Sequence, residues 1–304
     1  MKPKCRRIFE LNKPFFYIVD VFTEKKYSGN QLAVFRFTND LREKEMQQIA
    51  REMNFSETTF IPFEGKRAGG YDVRIFTPQT EVPFAGHPTL GTAHIIQSEI
   101  LKAPINKIIL NLKIGQIPIF FDTEGCSNVL WMRQRNPVFG DTYDRGLLSK
   151  ILSLGTNEID DRFPVQIVTT GLPTVIVPVK TLKSVKRANV VNNKYLDFTA
   201  NIEAKTLLVF CSETYNKQND LNVRFFAGRY GIPEDPATGS GNGCLAGYLV
   251  RYRYFEKKKI NLRVEQGYEL GRPSLILLKA EEEGKSIIIE VGGKVKTIAK
   301  GILV

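Results

Sequence analysis

Four residues of this chain stand in surroundings that suit chemistry: Glu57, His87, Asp235 and Ser240. Glu57 lies in NFSETTF, at the junction between a helix-like and a strand-like segment. A carboxyl group partly buried at such a junction is driven toward the range where it can take a proton from carbon and return it. A lone glutamate is more commonly a surface group. His87 sits between Gly86 and Pro88 in FAGHPTLG, suited to donate to an anion or to exchange a proton near neutral pH. The same histidine could simply satisfy nearby backbone. His94, seven residues on, is read as a packing or local hydrogen-bonding residue. Asp235 in GIPEDPATGSG is placed to cap a helix, to orient His87, or to hold an ammonium or hydroxyl group. Ser240 and Thr238 add hydroxyls, which are also ordinary residues for starting a helix.

The small residues around these groups have a physical use. The first N–H groups of a helix have no helical acceptor and, with the helix dipole, can hold a carboxylate. Gly86, Gly239 and Gly241 would let a ligand approach such backbone closely. Capping and tight packing would use the same residues. Their repetition favours the ligand: VRIFTPQTEVPFAGHPTLGTAHII starts at Val73, and VRFFAGRYGIPEDPATGSGNGCLAGYLV at Val223. Each reads as strand, irregular turn, then a helix opening on small residues, which suggests a doubled unit. If the halves face each other, both helix starts would border one pocket.

The elements that must position these groups form no regular βα alternation. FFYIVDVF (15–22), QLAVFRF, SETTFIPF and GYDVRIF (70–76) carry strand signals. LREKEMQQIAREM has an apolar helical face at Leu41, Met46, Ile49 and Met53, with Asp40 and Glu43 spaced as a cap and its partner, ending near Asn54. TLGTAHIIQSEI, 144–153 and 240–253 read as helices, and KIIL, IPIFF, NVLWM, FPVQIVTTG, PTVIVPV, KTLLVFC, LNVRFF, SLILLKA and SIIIEVG as strands. The pattern favours an α+β fold with mixed or antiparallel sheets. It divides near Asn136-Pro137 into lobes 1–134 and 135–304, with a crossover of the terminal strand allowed for.

Composition sets outer bounds. With 304 residues, 42% apolar and 25% charged, the chain can build two ordinary cores and is not a disordered polymer. No run is long enough to cross a bilayer, and the basic opening lacks a secretory pattern, so a cytoplasmic protein is expected. Cys5, Cys126, Cys211 and Cys244 are far apart, and with two histidines they make no zinc pattern and a weak case for disulfides. The net charge of +11 could attract nucleic acid or an anionic surface and equally favours a small anionic substrate. Lys257, Lys258 and Lys259, with Arg251 and Arg253, read as a solvated face, and no RNA-binding signature accompanies them.

VDVFT, GNQLAVF, MQQIAREMNFSETTF, RIFTPQTEVPFAGHPTLGTA, RFFAGRYGIPEDPATGSGNG and EQGYELGRPS, in this order, resemble the PhzF-like family of phenazine biosynthesis over nearly the whole chain. The resemblance implies a fold like that of diaminopimelate epimerases: two pseudo-equivalent lobes, each a mixed or antiparallel sheet wrapped around a central helix. It implies a homodimer and no metal, nicotinamide or pyridoxal cofactor. The activity implied is an isomerase that moves a proton between carbons of a small carboxylated substrate. In the family enzyme acting on a dihydro-hydroxyanthranilate, one glutamate is the acid/base, and it falls on Glu57. The family histidine falls on His87, and the aspartate and serine of the second motif on Asp235 and Ser240, as groups that bind and orient substrate. Epimerases of this fold use two cysteines at matching helix starts. Ala85 and Thr238 hold those places here, and Cys244 lies further along, so thiolate chemistry is disfavoured. Two alternatives stay open: an epimerase or racemase with other acid/base groups, and a non-catalytic binder of small acids.

Overall fold

The computed structural model describes residues 14–37, 41–122 and 128–304. The Asp40 cap, Cys5, Cys126 and the basic opening over residues 1–13 lie outside the described residues. The chain divides into two compact units, one made of residues 1–27, 31–132 and 294–304, the other of 28–30 and 133–293.

The first unit carries β1 (Phe15–Val21), β2 (Asn30–Phe37), α1 (Glu43–Met53), β3 (Thr58–Pro62), β4 (Lys66–Arg67), β5 (Gly70–Asp72), β6 (Arg74–Phe76), β7 (Glu81–Val82), α2 (Gly86–Ile95) continuing into a π-helical turn, β8 (Lys107–Leu112), β9 (Gly115–Asp122) and β10 (Val129–Arg133). The second carries β11 (Val138–Tyr143), α3 (Arg145–Ile151), β12 (Val165–Thr169), β13 (Thr174–Pro178), α4 (Leu182–Arg187), α5 (Asn192–Ala200), β14 (Thr206–Cys211), β15 (Leu221–Ala227), β16 (Ile232–Asp235), α6 (Gly239–Arg251), β17 (Lys259–Gln266), β18 (Ser274–Glu283) and β19 (Ser286–Gly293). The last strand, β20 (Val295–Ile302), pairs antiparallel with β1 in the first unit.

Within the first unit the strand order is β20-β1-β2-β3-β6-β7 in one sheet and β10-β9-β8-β5-β4 in the other. Within the second, β11-β12-β13-β14-β15 continues into β17-β18-β19, and β16 pairs with β15. The pairings repeat in register. Ile75 faces Val82 and Thr59 across antiparallel ladders, and Thr59 faces Val34 across a parallel one. Phe225 faces Asp235 and Leu208 in the same senses, and Leu208 faces Ile176. Anchored on the Val-Arg pairs 73–74 and 223–224, residues 34, 59, 75 and 82 therefore correspond to 176, 208, 225 and 235. The sequences then align as Glu-x-Pro-x-x-Gly, 81–86 and 234–239.

One strand differs between the copies. The 70–76 run, expected as a single strand, is split at Val73: β5 pairs with β8, and β6 with β3 and β7. Its counterpart β15 is continuous and serves both sets of partners. Period-2 patterning shows which side chains share a face but not which neighbour each half of the run will bind.

Each unit has a helix buried nearly all round, as a helix between layers must be. α2 packs on β1, β3 and β20 of one sheet and β8 of the other, and α6 on β12, β13, β17, β18 and β19. Gly91 permits the close approach of α2: a Cβ there would lie 2.6 Å from Leu32 Cδ2. α1 is instead amphipathic, burying Met46 and Ala50 against Phe35, Phe60 and Phe76. Its cap lies two residues beyond the expected one, where the Arg42 N–H donates to Glu45 Oε2. It ends at Asn54 in the left-handed conformation, an amide's common place after a last turn.

Candidate functional site

α2 places its candidate residues at its first turn. Gly86 and His87 are its first two residues, and the preceding Ala85 has no side chain to close the helix start. His87 Nε2 lies 3.4 Å from Glu57 Oε2, across 30 residues of sequence, because β3 begins one residue after Glu57 and packs against α2. The carboxylate side chain is 15% exposed and the histidine 6%. Burial pushes the His87 pKa down to about 3, opposed by a hydrogen bond to the Gln31 main chain. That bond favours the charged ring, so the ring donates it. His87 is therefore neutral at neutral pH, and proton exchange in its own right, one reading from sequence, is displaced well into acid. His94, also driven down by burial, to about 4, is within 3.1 Å of the Thr297 hydroxyl, which gives it a local hydrogen-bonding role.

α6 begins on Gly239, Ser240 and Gly241, after Thr238. Thr238 does not cap this helix with its side chain. Its hydroxyl donates instead to Asp235 Oδ2, and Asn30 Nδ2 donates to Asp235 Oδ1 at 2.9 Å. Asp235 is 7% exposed, and burial lifts its pKa to about 6 against these two donors. Ser240 is half-buried, and its hydroxyl makes no hydrogen bond among the described residues. Gly241 has a packing reason that the sequence did not show: a Cβ there would sit 2.4 Å from the Phe225 ring. What it can offer a ligand is its N–H, at a helix start where such groups precede the first intrahelical acceptors.

Three further residues hold this region and were not singled out from sequence. Asn30 also donates to the Ala237 carbonyl, at 3.0 Å. Gln266 and Asn242 complete a buried amide network under Thr238. Asn30 and Gln266 lie within the GNQLAVF and EQGYELGRPS runs. Arg74 and Arg224 were legible as the second residue of each repeat. Each makes a two-pronged pair, Arg74 with Glu81 at 2.8 and 2.6 Å, Arg224 with Glu234 at 2.9 and 2.7 Å. These pairs fasten the strand before each helix start to the one that follows it.

The register identifies what the second unit has in place of the Glu57–His87 pair. Glu57 corresponds to Thr206, whose hydroxyl is 2.9 Å from that of Thr174, and His87 to Ser240. Only the first unit therefore carries an acid/base pair at this place. Cys211 and Cys244 are both buried and free, and burial raises both thiols, Cys211 to about 12, so neither supplies a thiolate. Among the described residues no group of three or more His, Cys, Asp or Glu is arranged to hold a metal, and no helix is long and apolar enough to cross a membrane.

Comparison with known proteins gives concordant results. Residues 19–301 match the profile of the phenazine biosynthesis-like proteins, PhzC-PhzF. The chain is 31% identical to the trans-2,3-dihydro-3-hydroxyanthranilate isomerase of Pseudomonas aeruginosa, over 94% of this chain and 98% of that one. It is 32% identical to the isomerase of the same name from Pseudomonas fluorescens, over 95% and 99%. The crystal structure of a Bacillus anthracis phenazine biosynthesis protein of the PhzF family superimposes with a TM-score of 0.88 at 27% identity, covering 96% of this chain and 99% of that one.

Proposed function

This chain belongs to the phenazine biosynthesis-like (PhzF) family, and from that premise we propose that it is a cofactor-independent isomerase moving a proton between carbons of a small carboxylated substrate, with Glu57 as the single acid/base. The observation that carries the proposal is the Glu57 carboxylate held 3.4 Å from a histidine that burial keeps neutral. With the ring's proton committed to the Gln31 main chain, Nε2 is left as an acceptor facing Glu57.

The step is then a transfer within one carboxyl group. Glu57 takes a proton from an acidic C–H of the substrate, and the electron pair of that bond passes into the substrate's conjugated system. The protonated carboxyl donates to His87 Nε2 while it waits, and then gives the proton to another carbon. Such a positioned group is worth about 10²–10⁴ in rate. We assign to substrate binding the N–H groups at helix starts that no side chain caps, those of Gly239, Ser240 and Gly241 on α6 and, separately, that of Gly86 on α2. Asp235 and the Ser240 hydroxyl are assigned to the substrate's other polar groups. The named isomerases at 31–32% identity act, by their names, on a ring bearing a carboxylate, an amino group and a hydroxyl, which supports this class of ligand. We further propose that the protein works as a cytoplasmic homodimer, with nucleic acid no part of its function; light scattering in solution checks the mass.

The test is a panel of small carboxylic acids incubated with the protein in deuterated water, followed by NMR and mass spectrometry. The reading expects one acid to acquire deuterium at carbon and to yield a double-bond isomer. Inversion at one carbon without bond migration would instead make the protein an epimerase. Binding with neither exchange nor product would make it a non-catalytic binder.

A further inference from the structure

We propose that Gln266 is a positioning residue: from the end of β17 it aims the Thr238 hydroxyl at Asp235 and holds the turn into α6 in its working shape. The residue is 1% exposed, and its amide meets that turn at three points and α6 itself at a fourth. Nε2 donates to the Asp235 carbonyl at 2.8 Å and to Thr238 Oγ1 at 3.1 Å. Oε1 accepts from the Thr238 N–H at 3.2 Å and from Asn242 Nδ2 at 2.9 Å.

Proton accounting sets the direction of the Thr238 hydroxyl. A hydroxyl has one proton to give. Because Thr238 Oγ1 receives an N–H from Gln266, its own proton is free to go to Asp235 Oδ2, the bond observed. The Thr238 N–H and main-chain carbonyl are engaged as well, the latter by Asn242 Nδ2 at 3.0 Å. Thr238 is thus fixed by contacts on all its polar atoms, and with it the start of α6.

The first unit shows what this position holds without such a task. Asp72 pairs with Asn111 as Asn222 does with Glu265, so the next residue along, Leu112, is the counterpart of Gln266. Leu112 is buried, as is Ile108 four residues earlier, and the start of α2 has Val82 and Ala85 where α6 has Asp235 and Thr238. A leucine is the cheaper way to fill a buried site, since an amide there must have its hydrogen bonds met. Gln266 meets them on that turn and on Asn242 of α6. The β17–β18 connection that follows is also longer, residues 267–273 against 113–114 between β8 and β9, and Gly267 at φ 79° leaves no room for a Cβ beside the Arg272 and Pro236 carbonyls.

The charged groups around Asp235 are few. Glu234 is next to it on β16 and is tied to Arg224 of β15. On β17, Glu265 is engaged by the Tyr215 and Asn216 N–H groups and by Asn219 and Asn222. In the connection after β17, Arg272 donates to the Ser28 and Gly29 carbonyls, beside Asn30. α6 presents no charged residue in its first turn. Orientation of the hydroxyl is therefore a direct lever on whether Asp235 carries its proton.

The proposal rests on the reading that Asp235 and the α6 start hold substrate, but its test does not require turnover. Asp235 is titrated by ¹³C NMR with labelled aspartate carboxyl groups, assigned with Asp235→Asn. In Gln266→Leu the hydroxyl loses its fixed direction, and the midpoint should rise by about one unit. Thr238→Val should give a similar rise, and Thr238→Ser, which keeps the hydroxyl, none. The double variant Gln266→Leu/Thr238→Val should rise no further than Thr238→Val alone. The acid limb of kcat/KM, where an activity is in hand, should move with the midpoint. An unchanged midpoint in folded Gln266→Leu, or shifts that simply add, would overturn the proposal. If Gln266→Leu does not fold, Gln266→Met carries the same test. A shifted midpoint in a protein that turns nothing over would uphold Gln266 and sink the isomerase reading alone.

Discussion

The two helix starts are copies of one device, put to different ends. Both follow an Arg–Glu pair on adjacent strands, both open on glycine, and neither is closed by a capping side chain. Around α2 the neighbouring positions hold Val82, Ala85 and Leu112, and His87 meets Glu57. Around α6 the same positions hold Asp235, Thr238 and Gln266, joined in a buried network. The same repeated frame thus carries a glutamate–histidine pair beside one helix start and a buried polar network beside the other.

The Arg–Glu pairs differ most between the two units in how deeply they are buried. In the second unit both partners are about 10% exposed, and the Arg224 guanidinium also donates to the Val185 and Lys186 carbonyls at the end of α4. Arg224→Ala strands a buried carboxylate and should cost about 3–5 kcal/mol of stability. Arg74 is 32% exposed, and Lys113 remains at 2.5 Å to accompany Glu81, so Arg74→Ala should cost no more than about 1.5–3 kcal/mol. Chemical denaturation of both variants checks the ranking, and equal losses would erase the distinction.

Next is Gly241→Ala, expected to cost about 1–3 kcal/mol because the new methyl meets the Phe225 ring. A protein of unchanged melting temperature but weakened ligand binding would mean that this glycine serves the ligand and not the packing.

A smaller effect is expected from pH. His87 and His94 are neutral in the folded protein, with pKa values of about 3 and 4 against an ordinary 6.5. The stability they contribute is full above the unfolded value and is lost as pH falls from 6.5 toward about 4 for His94 and about 3 for His87, because the unfolded chain takes up the protons first. Each should account for about 2 kcal/mol between pH 7 and 5. Asp235 works the other way: its raised pKa means that the unfavourable burial of its charge fades below pH 6. Denaturation of His94→Gln across this range should show a shallower slope than the parent, and an identical slope would mean that His94 titrates normally. The smallest effect belongs to Ser240→Ala. With no hydrogen bond to lose among the described residues, its stability should stay within about 0.5 kcal/mol, with only ligand affinity reduced.

Much of this was legible in the sequence, for identifiable reasons. The α1 periodicity, the strand runs and the small-residue helix starts are local signals, and they mark elements that exist. What the sequence left unread depended on partners. The split at Val73 follows from which strands flank it, and the SVKRANVVNNKYLDFTA segment gave no clear period although α4 and α5 form there. The cap of α1 lies at Arg42 and Glu45, and the sequence pointed two residues earlier because Asp40 and Glu43 have the same spacing. At the candidate site Glu57 and His87 could be named singly, but nothing in either neighbourhood shows that they meet. Asn30 and Gln266 were harder still: an amide does no chemistry of its own, and its importance becomes visible only when the atoms it touches are known.

The account turns on Glu57 as the one group that carries the proton. The direct measurement is solvent deuterium incorporation and isomer formation by Glu57→Gln, beside the parent and with the fold verified by its melting temperature. The account predicts that both fall together, by about 10²–10⁴, while the acid still binds. Exchange and conversion continuing at the parental rate would contradict it.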